Sequence, residues 1–345
     1  MAVRTAILGF AHGHVGIYCR QWNDHPEMGV ELVSGWDHDL KRLQESAEAF
    51  QIDAQSDLEK VFENSDVEAV VIGAETSMHA DLVVQAAEAK KAIVLQKPMA
   101  LEIDEADRMV KAVEENGVPF TMAWQMRTDP QNIQIKELME SGKFGKILQV
   151  RRRHGLPTHL WPWRHDSWHF KPELNRDIFA DDASHPMDFM LWLLGKPKSL
   201  TAELETLLDP KTPNDNGIVL LGYEDGPLAE ISCSFTCVAH QNTTEIIAEK
   251  GTILQDFGDV PACKAERADG QSGLRWYWQE DGKWTRSDIP SPREHSERLA
   301  GLAGPLGDFL NGKRGPIASA EEGRECLRLI LACYESSEKG KRLFV

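Results

Sequence analysis

The chain has 345 residues, 38 Lys+Arg against 55 Asp+Glu, and a formal net charge of −17. That length implies two or so domains with a real core, and the acidic balance disfavours a nucleic-acid groove or an anionic membrane as partner. A small neutral or hydroxylated substrate fits better. The six cysteines, Cys19, Cys233, Cys237, Cys263, Cys326 and Cys333, lack CxxC spacing and read as reduced packing residues. The amino terminus has no long apolar h-region, and no apolar run approaches the roughly 20 residues of a membrane span. A cytoplasmic chain with no membrane contact is expected.

From residue 1 to about 124, short apolar strands alternate with helical stretches. Thr5 to Gly9, Val30 to Trp36, Ala69 to Ala74, Ala92 to Lys97 and Pro119 to Trp124 are near-continuous apolar runs, the pattern of strands covered on both faces. Leu40 to Phe50, Met78 to Ala89 and Glu102 to Asn116 carry helical spacing, the last ending at Gly117, a helix stop. This alternation predicts a doubly wound parallel sheet. After Arg127-Thr128-Asp129-Pro130 the texture changes. A helix over Gln131 to Ser141 precedes strands with polar alternation, Ile147 to Arg153 and Ala229 to Phe235, as in antiparallel or mixed sheets with one wet face. Trp276, Trp278 and the Asp281-Gly282 turn predict a late hairpin, Asp209 to Gly217 a loop, and Glu294 to Leu310 and Glu321 to Lys339 two closing helices.

Three constellations carry chemistry. Gly9-Phe10-Ala11-His12-Gly13-His14-Val15-Gly16 follows the first strand and opens a helix, the context of a dinucleotide phosphate loop. A strict G-x-G-x-x-G would want glycine at Ala11 and a small residue at His14, and an ordinary strand-to-helix turn is also compatible. Asp37 ends the second strand, where a carboxylate can accept from a ribose 2′-OH and repel a 2′-phosphate. That favours NAD, while His38, Lys41 and Arg42 leave NADP open; Asp37 is equally placed to cap a helix. Lys97, locked against Pro98, ends the fourth apolar run. Further on, Asp181-Asp182-Ala183-Ser184-His185-Pro186-Met187-Asp188 precedes an apolar helix that stops at Gly195. Ser184 can cap that helix, Pro186 fits its first turn, and His185 at its positive end would stay neutral and able to accept a proton. A packing or capping role for His185 and a helix-dipole role for Asp188 are the plainer alternatives.

These residues together resemble the glucose-fructose oxidoreductase, inositol dehydrogenase and rhizopine-catabolism family, Gfo/Idh/MocA. The loop at Gly9 comes first, then Ile72-Gly73-Ala74-Glu75-Thr76-Ser77-Met78-His79, similar to I-A-T-P-N-x-x-H. Gln96-Lys97-Pro98 resembles E-K-P, Arg127-Thr128-Asp129-Pro130 resembles R-x-x-P and is followed by Ser141-Gly142-Lys143-Phe144-Gly145, and Asp181 with His185 resembles D-x-G-x-H. Glu321-Glu322-Gly323 with Ser336-Ser337 fits the closing helix. The sequence departs at Gln96 for glutamate, Glu75 for proline, Thr76 for asparagine and Ala183 for glycine, and Asn175 to Ala180 replaces a glycine-rich run.

The resemblance implies an α/β fold: a Rossmann domain over residues 1–124, then an α+β domain over 125–345 with an open, largely antiparallel sheet, its closing helix free to pack back on the first. It implies a cis Lys97–Pro98 bond, a homo-oligomer (dimer or tetramer), and a site between the domains with Lys97, Asp181 and His185 as catalytic residues. Cofactor contacts would come from Gly9, Phe10, Ala11, His12, Gly13, His14, Asp37, Ala74, Glu75, Thr76, His79, Gln96, Lys97 and Arg127.

A ring-rich stretch holds His154, His159, Trp161, Trp163, Arg164, His165, Trp168 and His169. Rings with nearby donors suit sugars, so Trp163, Arg164, His165 and Trp168 are candidate substrate contacts, with packing of the rings as the alternative. No metal is expected, because no cysteine lies near and the spacing is irregular for a closed site. The expected function is an NAD(P)-dependent oxidoreductase acting on a ring secondary alcohol of a sugar, inositol or related polyol. A glycosidase using NAD without net redox change, and a silent cofactor-binding regulator, are the alternatives.

Overall fold

The computed structural model describes residues 2–239, 242–256 and 270–345; Cys263 lies outside them. The chain forms two compact units. One contains the amino-terminal stretch through Gln125 together with Lys171–Asn175 and Leu299–Leu327; the other contains Met126–Phe170, Arg176–Arg298 and Arg328–Val345.

In the first unit, β1 (Val3–Leu8), α1 (Gly13–Asp24), β2 (Val30–Trp36), α2 (Leu40–Phe50), β3 (Asp53–Ala54), α3 (Leu58–Glu63), β4 (Ala69–Ile72), α4 (His79–Glu88), β5 (Ala92–Leu95), α5 (Ile103–Asn116) and β6 (Phe120–Met122) follow in order. The six strands are all parallel, in the order β3-β2-β1-β4-β5-β6. The chain reverses direction across the sheet beside β1, and the loops leaving β1 and β4 flank that switch point, where α/β sheets hold ligands. The apolar runs outlast the strands by a residue or two, because Gly73, Ala74, Gln96 and Lys97 beyond the strand ends are buried as well. Trp22 of α1 is enclosed and donates its indole N–H to the Ala303 carbonyl at 3.0 Å, drawing Leu302, Ala303, Leu306 and Phe309 into this core. Each such buried leucine or phenylalanine side chain contributes about 1.5–3 kcal/mol. β3 and α3 had no signal in the apolar pattern; β3 is two exposed residues on the sheet edge.

The second unit contains α6 (Pro130–Glu140), β7 (Ile147–Gly155), and, past α7 (Pro172–Asn175) of the first, α8 (Ile178–Asp182), α9 (Ser184–Leu194), β8 (Ser199–Glu205), β9 (Asn216–Gly222), β10 (Leu228–Ser234), β11 (Thr243–Ala248), β12 (Gly251–Gln255), β13 (Leu274–Trp278) and β14 (Lys283–Arg286). The helices α10 (His295–Leu310) and α11 (Ala320–Lys339) and the short β15 (Leu343–Phe344) close the chain. Among the described residues nine strands run in the order β14-β13-β12-β11-β7-β10-β9-β8-β15, antiparallel except for β7 beside β10. Alternation sets the faces: Val219, Leu221, Ile231 and Cys233 are buried, while Ile218, Leu220 and Leu228 are exposed. The late hairpin is β13–β14, turning at Gly282 with φ 62°. Among the described residues no helix is long and apolar enough to cross a membrane.

Candidate active site

In the first unit the site grows from the turn after β1. Gly9 has φ +87°, and a Cβ there would stand 2.4 Å from the Ala74 Cα, so only glycine lets these two loops touch. The turn is then tied down from both sides: Gly9 N–H donates to the Trp36 carbonyl at 2.7 Å and His12 N–H to the Gly73 carbonyl at 2.9 Å. The buried His12 ring caps α1, accepting from the His14 amide at 3.5 Å, and meets the His14 ring edge-on. Gly13 faces open space, with nothing within 4 Å of a Cβ placed on it. A clear approach to first-turn amides that lack intrahelical acceptors is what a diphosphate requires, so the turn fits a dinucleotide despite Ala11 and His14.

Asp37 directly follows β2, as expected, and is held by groups of its own unit. Its carboxylate accepts from Phe10 N–H at 2.8 Å, Asp39 N–H at 2.8 Å, and Arg42 Nε and Nη2 at 2.7 and 2.8 Å. Each carboxylate oxygen thus accepts two bonds from within the chain, and these brace the turn. The helix cap of α2 falls to Asp39, which accepts from the amides of Lys41 and Arg42.

His79 is likewise a brace. Fully buried at the start of α4, it has Nδ1 at 3.0 Å from the Pro98 carbonyl and Nε2 at 3.2 Å from the Ala74 carbonyl, which joins the β4 loop to the turn after β5; burial holds its pKa below the ordinary value despite those carbonyls. Thr76 donates to Asn175 Oδ1 at 2.6 Å. Gln96 is buried at the end of β5 and donates to the Tyr18 hydroxyl at 3.0 Å, while its Oε1 has no hydrogen-bond partner. Lys97 follows it, buried, with a cis bond to Pro98.

In the second unit α8 runs through Ala183, itself in helical conformation, directly into α9. Ser184 therefore does not cap: its hydroxyl donates to the Asp181 carbonyl at 2.6 Å, inside a continuing turn. His185 consequently sits on a bent helical segment rather than at a free helix start, and the cap of that segment is Asp177, whose carboxylate accepts from Ala180 N–H. Asp181 and His185 are buried there. Two residues not singled out by spacing join them. Asp182 Oδ2 lies 2.7 Å from His154 Nε2 on β7, and Asp182 Oδ1 lies 3.9 Å from His185 Nε2. The Asp181-Asp182 doublet and a histidine ending a buried strand face were the available signals. Burial first, and the Asp182 charge second, push the neighbouring Cys233 thiol well up.

Arg127 is held by Asp188 of α9, with Nη2 at 2.7 Å and Nε at 3.0 Å from the carboxylate, both side chains buried. In this unit it anchors α9, which its assignment as a cofactor contact did not anticipate. The ring-rich segment forms three 3-10 turns. Trp161 and Trp163 stack at 4.8 Å with Trp163 50% exposed, and Asp209 holds Arg164 at 3.1 Å and His165 at 3.4 Å. Trp168 is buried against His169. Among the described residues no group of three or more His, Cys, Asp or Glu is arranged to hold a metal ion.

Residues 3–124 match the family model described as "Oxidoreductase family, NAD-binding Rossmann fold", and residues 132–254 match the "GFO/IDH/MocA C-terminal domain". The chain belongs to the Gfo/Idh/MocA family. This oxidoreductase is 27% identical over 307 residues to the myo-inositol 2-dehydrogenase of Thermotoga maritima, covering 86% of each chain. It is 27% identical over 262 residues to the scyllo-inositol 2-dehydrogenase (NAD(+)) of Bacillus subtilis, covering 73% of each. Its fold is similar to that of an Agrobacterium radiobacter oxidoreductase solved with NAD+, L-tartaric acid and magnesium, at TM-score 0.83 and 21% identity over 100% of this chain and 98% of that one. The WlbA dehydrogenase of Bordetella pertussis, solved with NADH and UDP-GlcNAcA, gives 0.81 at 23% over 100% and 99%. The Gfo/Idh/MocA chain is thus an NAD(P)-dependent oxidoreductase with an NAD-binding Rossmann domain.

Proposed function

We propose that this oxidoreductase moves a hydride between NAD and a ring secondary alcohol of a sugar, inositol or related polyol, with Lys97, Asp181 and His185 as its catalytic residues. The observation that carries the reading is a buried imidazole, His185, standing beside a carboxylate on a rigid helical segment. An alcohol that loses hydride must also lose its hydroxyl proton, and a positioned imidazole near neutral pH is the side chain best matched to take it. Bound NAD supplies the hydride acceptor. The Lys97 ammonium stabilises the negative charge growing on the same oxygen, and Asp181 orients the imidazole or a neighbouring hydroxyl. The inositol dehydrogenases among the relatives support the substrate class. Stacked Trp161 and Trp163 beside Arg164 and His165 offer an apolar face with donors, as sugars require. We also assign a cytoplasmic location, and a homo-oligomer formed through the open sheet face bearing Ile218, Leu220 and Leu228.

The test is an initial-rate screen of sugars and polyols with NAD and NADP, followed by His185→Ala and Lys97→Ala on the best substrate. Each variant is expected to lose about a hundredfold or more in turnover while NAD affinity barely moves. Unchanged turnover in both removes the assignment. Product formed without free NADH absorbance would shift the reading to the redox-neutral glycosidase.

A further inference from the structure

The second carboxylate beside Arg42 is not accounted for by the fold or by hydride transfer. Arg42 of α2 gives Nε and Nη2 to Asp37, and the same Nη2 lies 3.0 Å from Glu75 Oε1 on the loop after β4. The other Glu75 oxygen lies 3.0 Å from His38 Nε2. Asp37 and Glu75 side chains are 0% and 6% exposed, Arg42 is 25% exposed and His38 46%. Two enclosed carboxylates therefore share one guanidinium, and the cluster is negative while the imidazole is neutral.

An arginine just past the second strand of a Rossmann domain is the residue that can receive the 2′-phosphate of NADP. Here its charge is already committed twice. We propose that Glu75 is a specificity-determining residue: by engaging Arg42 it withholds the guanidinium from a 2′-phosphate and sets the preference for NAD over NADP. Asp37 alone would leave Arg42 paired one to one and still able to share a bond with an incoming dianion. Glu75 adds the charge that makes this approach unfavourable, and it draws in His38, another nearby cation source, while Lys41 stands exposed beside Glu45. The inference concerns the coenzyme only, so it stands or falls separately from the sugar or polyol assignment.

The experiment is calorimetric titration of the full chain with NAD+ and with NADP+, without substrate, for wild type, Glu75→Gln and Glu75→Pro. Glutamine keeps the shape and removes the charge. Proline fits the backbone, since Glu75 has φ −61° and ψ 145°. Both variants are expected to bring the ratio of NADP+ to NAD+ dissociation constants down about tenfold or more, chiefly through tighter NADP+, with NAD+ affinity nearly constant; one charge-assisted bond has that weight. The gain should shrink as salt rises. Melting curves establish that each variant is folded. A ratio unchanged in Glu75→Gln, a change seen in Glu75→Pro alone, a ratio moved only by loss of NAD+ affinity, or a wild type that binds NADP+ as tightly as NAD+ would each overturn the proposal.

Discussion

His154 Nε2 and Asp182 Oδ2 stand 2.7 Å apart, joining strand β7 to the segment that carries His185. Because Asp182 Oδ1 also lies 3.9 Å from His185 Nε2, its charge would favour the imidazolium that the proposed base role of His185 requires. Asp182→Asn should therefore lower turnover about ten- to a hundredfold with little change in KM, a fraction of the general-base contribution. His154→Gln, which keeps a donor to Asp182, should cost less. Steady-state kinetics would decide: equal activity in Asp182→Asn and wild type would separate Asp182 from catalysis.

Breaking the Arg127–Asp188 pair should be costly to the fold. Both side chains are buried, and removing the Asp188 carboxylate takes away a charge that holds the Arg127 guanidinium. Asp188→Ala is expected to destabilise by about 3–5 kcal/mol, whereas replacing both partners with apolar residues of similar volume should cost much less. Urea unfolding of the single and double variants measures the difference.

Two glycines of one turn should behave oppositely. Gly9→Ala forces a Cβ to within 2.4 Å of the Ala74 Cα at φ +87° and should cost about 1–3 kcal/mol of stability or more. A Cβ at Gly13 meets nothing within 4 Å and the residue sits in a helix first turn, so the melting temperature of Gly13→Leu should hold or rise. Its NAD affinity should nevertheless fall about tenfold or more, since the side chain enters the space a diphosphate needs. Thermal melts with and without NAD separate the two effects.

Asp209 should tether the ring-rich segment across neutral pH. The Lys211 amide, and then Arg164, hold its carboxyl below the ordinary value against the cost of burial. A depressed folded pKa means that the stabilisation is fully present above the unfolded carboxylate value, about 3.9, and is lost as pH falls through the lower folded one. Tryptophan emission should stay constant from pH 8 to about pH 5 and change only in stronger acid. Asp209→Asn should show the altered emission already at pH 7.

Most of the first unit was legible in the chain. Val70, Val71, Val94 and Leu95 are covered on both faces, so each strand shows as an apolar run, and Gly117 marks a helix end because its φ is positive. The second unit was legible only where alternation was regular, as in β7 and β10; β8, β9, β11, β12 and the two-residue β15 owe their existence to the neighbours they pair with. The short helices α7 and α8 are set by caps and packing rather than by period.

Residue types and their order alone pointed to a nucleotide turn, a lysine closing the fourth apolar run, and an acid and a histidine four residues apart ahead of an apolar helix. Those features are local, so periodicity and motif spacing reveal them. Tertiary structure decided who partners whom: Asp37 accepts from Arg42 and two amides, Glu75 reaches Arg42 across 33 positions, Asp182 stands 3.9 Å from His185 while the Ser184 hydroxyl turns to the Asp181 carbonyl, and His79 and Arg127 serve as braces. Several of these pairings join residues far apart in the chain, and all follow from how layers pack and which buried polar groups then require partners, information that no short window of sequence contains.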